Sequence, residues 1–244
     1  METSLHRSLK HLYAAGGGAS NCAQIPSPGP GQHVEVVLGR FRIDAIVDGC
    51  LIEIQHGSLA AIRRKVASLL EHHDVLVVKP IVANKLLVKR AKESGPVIER
   101  RQSPKRGKLL DLFDELIYFW QVFPHPRLTI EVVLVDIEEW RRPGHGRRRR
   151  WRKTDHTVED QLLVGIRESQ RFRTAADLLK FLPTDLPRPF HTGHVASQLA
   201  VPRWMAQRIV YVLRHVGAIS PAGKQGNAWL YELPAPRGKR RRAG

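Results

Sequence analysis

Residues 41–55 read FRIDAIVDGCLIEIQ. Asp48-Gly49 stands between two apolar runs, a strong signal for a two-residue hairpin loop. That loop sets a register in which Val47 faces Cys50, Ile46 faces Leu51, Ala45 faces Ile52, Asp44 faces Glu53 and Arg42 faces Gln55. Side chains alternate along a strand. One face therefore carries Ile43, Ala45, Val47, Cys50, Ile52 and Ile54, all apolar, and is expected in the core. The other carries Arg42, Asp44, Glu53 and Gln55. Directly opposed residues have Cβ atoms roughly 4.5–5.5 Å apart, where like charges repel. Two carboxylates kept there need an offset, either a bound cation or an arginine. A rigid pair suits Mg²⁺, a hard ion that takes oxygen ligands and keeps several waters. Alternatively Arg40 or Arg42 neutralises the acids and the hairpin is purely structural. This stretch alone leaves both open.

Asp44, eight residues, then Glu53-Ile54-Gln55 resembles the motif of the PD-(D/E)xK nuclease superfamily, which includes restriction endonucleases and archaeal Holliday-junction resolvases. In that superfamily the metal-binding Asp begins one strand and the acid of (D/E)xK lies on its hairpin partner. Ile43 stands where the motif has Pro, and Gln55 where it has Lys. The resemblance implies catalytic Asp44, Glu53 and Gln55, with Asp44 and Glu53 holding Mg²⁺ or Mn²⁺. It also implies that another lysine supplies the missing positive charge. Lys79, Lys65 and Lys10 are the candidates, each against the plainer reading of an ordinary lysine.

The 244 residues suffice for two small domains, and the formal net charge of +17 suits a polyanionic partner, nucleic acid first. A hydrophobic content of 42% permits a real core. Cys22 and Cys50 make neither a disulfide framework nor a zinc site. His72-His73 and His191-x-x-His194 lack companion ligands at usable spacing. There is no secretory leader pattern, and no apolar run approaches the ~20 residues of a membrane span. A cytoplasmic, nucleoid-associated protein is expected.

Residues 3–14 read as a helix with Leu5, Leu9 and Leu12 on one face. Glu2 precedes it. In resolvase-like members of the superfamily a first-helix Glu joins the metal site, but Glu2 equally suits a helix N-terminus. Residues 16–31 form a Gly/Pro/Ser-rich loop. Residues 34–38 read as a strand, on which Glu35 is either an extra acid of the site or, more plainly, a solvent-facing strand residue. Ser58 can cap a helix running to His72. Residues 74–82, DVLVVKPIV, read as a strand buried on both faces. Hairpin, crossover helix and buried strand follow the order of the superfamily's core. A second hairpin turns at residues 93–96. Ser103 to Gly107 is a tight basic loop whose Lys105 and Arg106 suit phosphate. A helix over 108–120 and a strand over 127–136 extend the same sheet. The basic run 141–153 matches phosphate neutralisation, and its Trp151 suits stacking on a base.

From Thr157 the periodicity suggests helices over 158–170, 174–182, 192–199 and 203–216, then two short strands over 217–233. The end of this order resembles a winged helix-turn-helix domain, whose second helix enters the major groove. The resemblance places Arg203, Trp204, Gln207, Arg208 and the wing residue Lys224 near DNA, with Arg and Gln suited to reading bases and Arg and Lys to phosphate.

The expected architecture is α/β. A restriction endonuclease-like mixed sheet flanked by helices occupies residues 1–153, a winged-helix domain 154–236, and a basic tail 237–244. The expected function is metal-dependent hydrolysis of phosphodiester bonds in DNA, with a homodimer compatible and no membrane role. The alternative is a non-catalytic DNA-binding protein or transcriptional regulator built on a degenerate nuclease core.

Overall fold

A computed structural model describes residues 2–16, 33–144 and 156–234. The chain divides into two compact units. The first is Met1–Leu112 with Pro126–Arg171, and the second is Phe113–His125 with Phe172–Gly244.

The first unit is built on a seven-stranded mixed sheet. Strands β1 (His33–Leu38), β2 (Phe41–Val47) and β3 (Cys50–Ile54) form an antiparallel meander. A 3₁₀ turn, Leu59–Ile62, and helix α2 (Arg63–Leu69) then cross over to β4 (Val75–Arg90), which lies parallel to β3. Strand β5 (Val97–Gln102) folds back antiparallel on the outer half of β4. Beyond β4 come β6 (Leu128–Pro143), parallel to it, and β7 (His156–Phe172) at the end of the row. The order is β1-β2-β3-β4-β6-β7.

The turn behaves as its residues demand. Asp48 and Gly49 both have positive φ, 50° and 78°, the signature of a type I′ turn whose twist matches the flanking strands. The register is Ala45↔Ile52, Ile46↔Leu51 and Val47↔Cys50, as the spacing requires. Helix α1 (Ser4–Ala14) starts at Thr3, whose hydroxyl accepts the His6 N–H. It lays Leu5, Leu9, Leu12, Tyr13 and Ala14 against Ala45, Ile52 and Ile54, and further along the sheet against Val78, Val133, Val135 and Ile137. Ile43, Ala45, Ile52 and Ile54 are all buried, whereas Val47 and Cys50, beside the turn, are only half-buried.

Three expectations change. Residues 158–170 are not a helix but the middle of β7. Val158, Leu162 and Ile166 recur at four-residue spacing and imitate a helix. The decisive partners lie on β6: Arg171 pairs with Glu131, Arg167 with Asp136, and Gln161 with Glu139. Their numbers run in opposite order, so the two strands are antiparallel. The strand over 127–136 continues to Pro143, taking Arg141 and Arg142 out of the basic loop into the sheet, where they pair with Glu139 and Glu159. The helix over 108–120 shrinks to a 3₁₀ turn, Leu109–Asp111, and a short α3 (Leu112–Leu116). Because β7 belongs to the sheet, the chain divides at 171/172 rather than 153/154. The loop 17–32, the run 145–155 with Trp151, and the tail lie outside the described residues.

In the second unit a 3₁₀ segment, Ala175–Phe181, is fixed by a Thr174–Asp177 capping box. Helix α4 (Thr192–Gln198) leads through a turn, with Ala200 at φ 50°, into α5 (Arg203–His215). A hairpin of β8 (Ser220–Gln225) and β9 (Ala228–Glu232) follows. Tyr231 of β9 exchanges both backbone hydrogen bonds with Phe190, adding a bridge on the far side of the hairpin. Helix α5 buries Met205, Ala206, Ile209, Val210, Val212 and Leu213. Phe113 packs edge-on against Phe181, which stacks on Phe172.

Two predictions follow from the sheet. A Cβ at Gly49 meets nothing within 4 Å, so Gly49→Val should cost only the backbone strain, about 1–2 kcal/mol, in chemical denaturation. Buried Glu139 accepts from Lys85, Gln161 and Arg141. Burial pushes its carboxyl up, but these donors more than reverse that and hold it at about 2, against an ordinary 4.5. Its stabilisation is therefore present above the unfolded value of about 4.5 and lost as pH falls through about 2. Glu139→Gln should remove that acid-limb component from a stability–pH curve.

Candidate active site

The β2–β3 ladder stops one step short of the acids. After Ala45↔Ile52 the next rung is replaced by a side chain, and Asp44 Oδ2 accepts the Ile54 N–H at 2.8 Å. Asp44 and Glu53 are thus not an opposed cross-strand pair, although each feels the other's charge. Asp44 Oδ1 lies 3.2 Å from His6 Nε2 on α1. Glu53 is only 4% exposed, and Lys65 of α2 reaches to 2.5 Å from its Oε1. Lys65 also donates to the Arg42 carbonyl.

The groups set against the acids are therefore the His6 imidazole at Asp44 and the Lys65 ammonium at Glu53, not Arg40 or Arg42. Arg40 covers the Phe41 ring and Arg42 pairs with Glu35. Of the three candidate lysines, Lys65 is placed against a motif acid, Glu53. Lys79 donates to the carbonyls of His56 and Gly57, at 3.1 and 2.5 Å. Lys10 pairs with Glu2 and Glu35, both at 2.5 Å. Gln55 donates its amide to the Ser58 carbonyl at 2.9 Å, which ties down the start of the crossover.

Glu2, Thr3, His6, Lys10, Glu35, Arg42, Asp44 and His56 line one cleft of about 420 Å³. Glu35 lies between the pairs Val34↔Ala45 and Val36↔Ile43, hence across from Asp44. Its φ is +58°, a conformation rare for a non-glycine residue inside a strand and characteristic of strained, functional positions. Lys10 and Arg42 hold its carboxyl well down, at about 2. Of the two readings of Glu35, an extra acid or a solvent-facing strand residue, the structure places it at the cleft beside Asp44, and His6 carries no signal in the sequence. Both were hidden because the link between α1 and β1 fixes which helical residue meets which strand, and local spacing does not encode that.

The two motif acids titrate in opposite directions. Burial pushes Asp44 up, but the His6 contact and the Ile54 N–H outweigh it, so its carboxyl lies below the ordinary range. Burial pushes Glu53 up, and Lys65 reverses only part of that, so Glu53 lies above it. Ionised Asp44 thus supports folding at neutral pH and ionised Glu53 opposes it. Burial, then the charges of Lys79 and Lys85, push the His56 imidazole down.

The fit of a metal can be judged from these donors. Among the described residues no three of His, Cys, Asp and Glu converge as a closed ligand set. The pair Asp44 and Glu53 offers hard carboxylate oxygens, which suit an ion such as Mg²⁺, one that binds one or two carboxylates and leaves its other positions to water and substrate phosphate. The Lys65 ammonium beside Glu53 competes with such an ion for that carboxylate.

The expected nucleic-acid contacts fall on both units, each of which is described separately. In the first, Lys105 and Arg106 are exposed on the loop after β5, where Arg106 donates to the Ser103 and Lys105 carbonyls. In the second, Arg203 and Gln207 are exposed on α5, and Lys224 lies 4.6 Å over the Trp229 ring on the hairpin. Arg208 is different: it is half-buried, bound to Asp114 at 2.6 Å, and covers Trp204. Its guanidinium is engaged within the unit, between Asp114 and the Trp204 ring.

The family model described as a domain of unknown function (DUF8091) matches residues 3–173. The chain belongs to that family. The match includes Asp44, Glu53, Gln55 and Lys65, and it ends where β7 ends. The chain is also similar to an "Uncharacterized protein" of Treponema pallidum (strain Nichols), at 28% identity over 238 residues, covering 96% of this chain and 86% of the relative. No solved structure matches.

The ion pair gives a direct test. Lys65→Met leaves Glu53 buried without its cation and should cost roughly 3 kcal/mol in urea denaturation. Lys65→Met with Glu53→Gln should recover most of that loss in a double-mutant cycle.

Proposed function

We propose that this DUF8091 chain is a metal-dependent nuclease that hydrolyses phosphodiester bonds in DNA, with a DNA-binding second unit. The observation that carries the reading is the placement of Lys65. The motif at 53–55 ends in Gln instead of Lys, and a lysine from the crossover helix sits 2.5 Å from Glu53. The missing charge is supplied from α2. The topology supports the same reading: a helix, an antiparallel three-stranded meander, a crossover helix and a fourth strand parallel to the third.

Asp44 and Glu53 would hold the ion. A bound Mg²⁺ supplies Lewis-acid polarisation of a phosphate and a bound water of lowered pKa. The chain's own residues do the rest. Lys65 places an ammonium beside Glu53, where negative charge develops at the attacked phosphate. Lys10 and Arg42 line the cleft as cations for flanking phosphates. Gln55, tied to Ser58, holds the strand end rather than a reacting group.

The second unit supports DNA binding by its order of elements. Helix α4, a turn, α5 and a hairpin follow one another, and the Phe190–Tyr231 bridge adds a third strand segment to the hairpin. That order supports a winged helix-turn-helix-like unit that holds DNA through α5 and the hairpin.

One observation favours a second reading. Lys65 and Gln55 both already have partners, as they would in a core that had lost catalysis and kept DNA binding. Cleavage of labelled DNA with Mg²⁺, Mn²⁺ or EDTA separates the two. Asp44→Ala and Glu53→Ala should each lower cutting by at least about 100-fold, with binding changed little. Lys65→Ala should lower it by roughly 10- to 100-fold, the size of a lost charge-stabilising donor, and Gln55→Ala by much less. Metal-dependent cutting that persists in Asp44→Ala would rule out this site. Binding without cutting under every metal establishes the second reading.

A further inference from the structure

Helix α5 presents a face that a groove-reading helix does not need. Trp204 and Tyr211 are 49% and 42% exposed on it. They stand seven residues apart, two turns or about 10.5 Å along one stripe. Each ring is braced on one side. The Arg208 guanidinium lies 4.6 Å over Trp204 and is itself anchored by Asp114. The His215 ring lies 4.0 Å from Tyr211, with its Nδ1 2.8 Å from the Tyr211 carbonyl. Between and beside the rings are exposed Arg203, Gln207 and Arg214. The helix contains no Asp or Glu.

Large aromatic rings left in water and held in place are preorganised for a flat partner. Base–aromatic stacking is tolerant of sequence, because every base has a π-face, and cations beside the rings track the backbone. Paired bases in a duplex offer their edges, not their faces. From these braced rings on a helix that carries basic and no acidic residues we infer that α5 binds an unpaired strand, so that the preferred substrate is DNA carrying a single-stranded segment next to a duplex. This rests on the nuclease reading and gives that site its substrate class. A protein partner on the same face is the competing occupant, and a helix with basic but no acidic residues, on a chain of net charge +17, favours nucleic acid over it.

The test uses the full-length protein in EDTA, so that binding is read without cutting, against fluorescein-labelled blunt duplex, single strand, and 5′- and 3′-tailed duplexes of one sequence. Wild type should bind a tailed duplex at least about 10-fold more tightly than the blunt one. Trp204→Ala and Tyr211→Ala should each weaken tailed-duplex binding by about 5- to 100-fold, the range for one lost stacking partner, and change blunt-duplex binding less than about 3-fold. Trp204→Phe and Tyr211→Phe keep a ring and should retain most of the preference, separating stacking from misfolding. Equal affinity for blunt and tailed DNA overturns the inference and leaves the nuclease reading standing. So does equal loss on both DNAs in the alanine variants with the phenylalanine variants intact. Binding to none of the four DNAs overturns both.

Discussion

The hydrogen bond from the Ile54 N–H to Asp44 Oδ2 is the point at which this fold becomes a site. A regular antiparallel ladder would place a backbone carbonyl there. Substituting a carboxylate ends the β2–β3 pairing, turns Asp44 toward the strand end, and lets His6 of α1 reach its other oxygen. The substitution is possible because the Asp48-Gly49 turn leaves no freedom in register. A slip of one residue would send Ala45 and Ile52 to solvent and the acids into the apolar layer under α1. The same turn therefore secures the core and the carboxylate pair.

Charge is arranged around that point by compensation. Glu2, Glu35, Asp44 and Glu53 each meet a basic partner: Lys10, Arg42, His6 or Lys65. Exposed pairs of this kind contribute little to stability, and buried Glu53 costs stability even with Lys65 beside it. On the proposed reading the cluster is a binding site for an ion and phosphate rather than reinforcement of the fold. Ion pairs that only tie strands together look different in the same unit. Glu139 and Glu131 are buried at the sheet with two or more donors, or one close arginine, and line no cleft with Asp44.

Much of this was legible in the residues. The hairpin register followed from two turn residues, α1 from three leucines, and the Asp44–Glu53 neighbourhood from parity. The turn between α4 and α5 and the closing hairpin were also visible. What escaped was long-range. Residues 158–170 imitate a helix because Val158, Leu162 and Ile166 share its spacing, while the partners that make them a strand lie on β6, in Glu131, Asp136 and Glu139. His6 and Glu35 escaped because their meeting with Asp44 depends on how α1 and β1 dock. Lys65 could be named only as one lysine of three until the crossover placed it on Glu53. The bracing of Trp204 by Arg208 depended on Asp114, far away in sequence.

The central claim is that Asp44 and Glu53 form one hard-metal site whose positive neighbour is Lys65. Electron paramagnetic resonance of Mn²⁺ added to full-length wild type, Asp44→Asn, Glu53→Gln and Lys65→Met tests it without relying on turnover. The account predicts a bound ion in wild type, its loss in both acid variants, and binding at least as tight in Lys65→Met, because the competing ammonium is gone. Mn²⁺ binding of the same strength in wild type and both acid variants would contradict it.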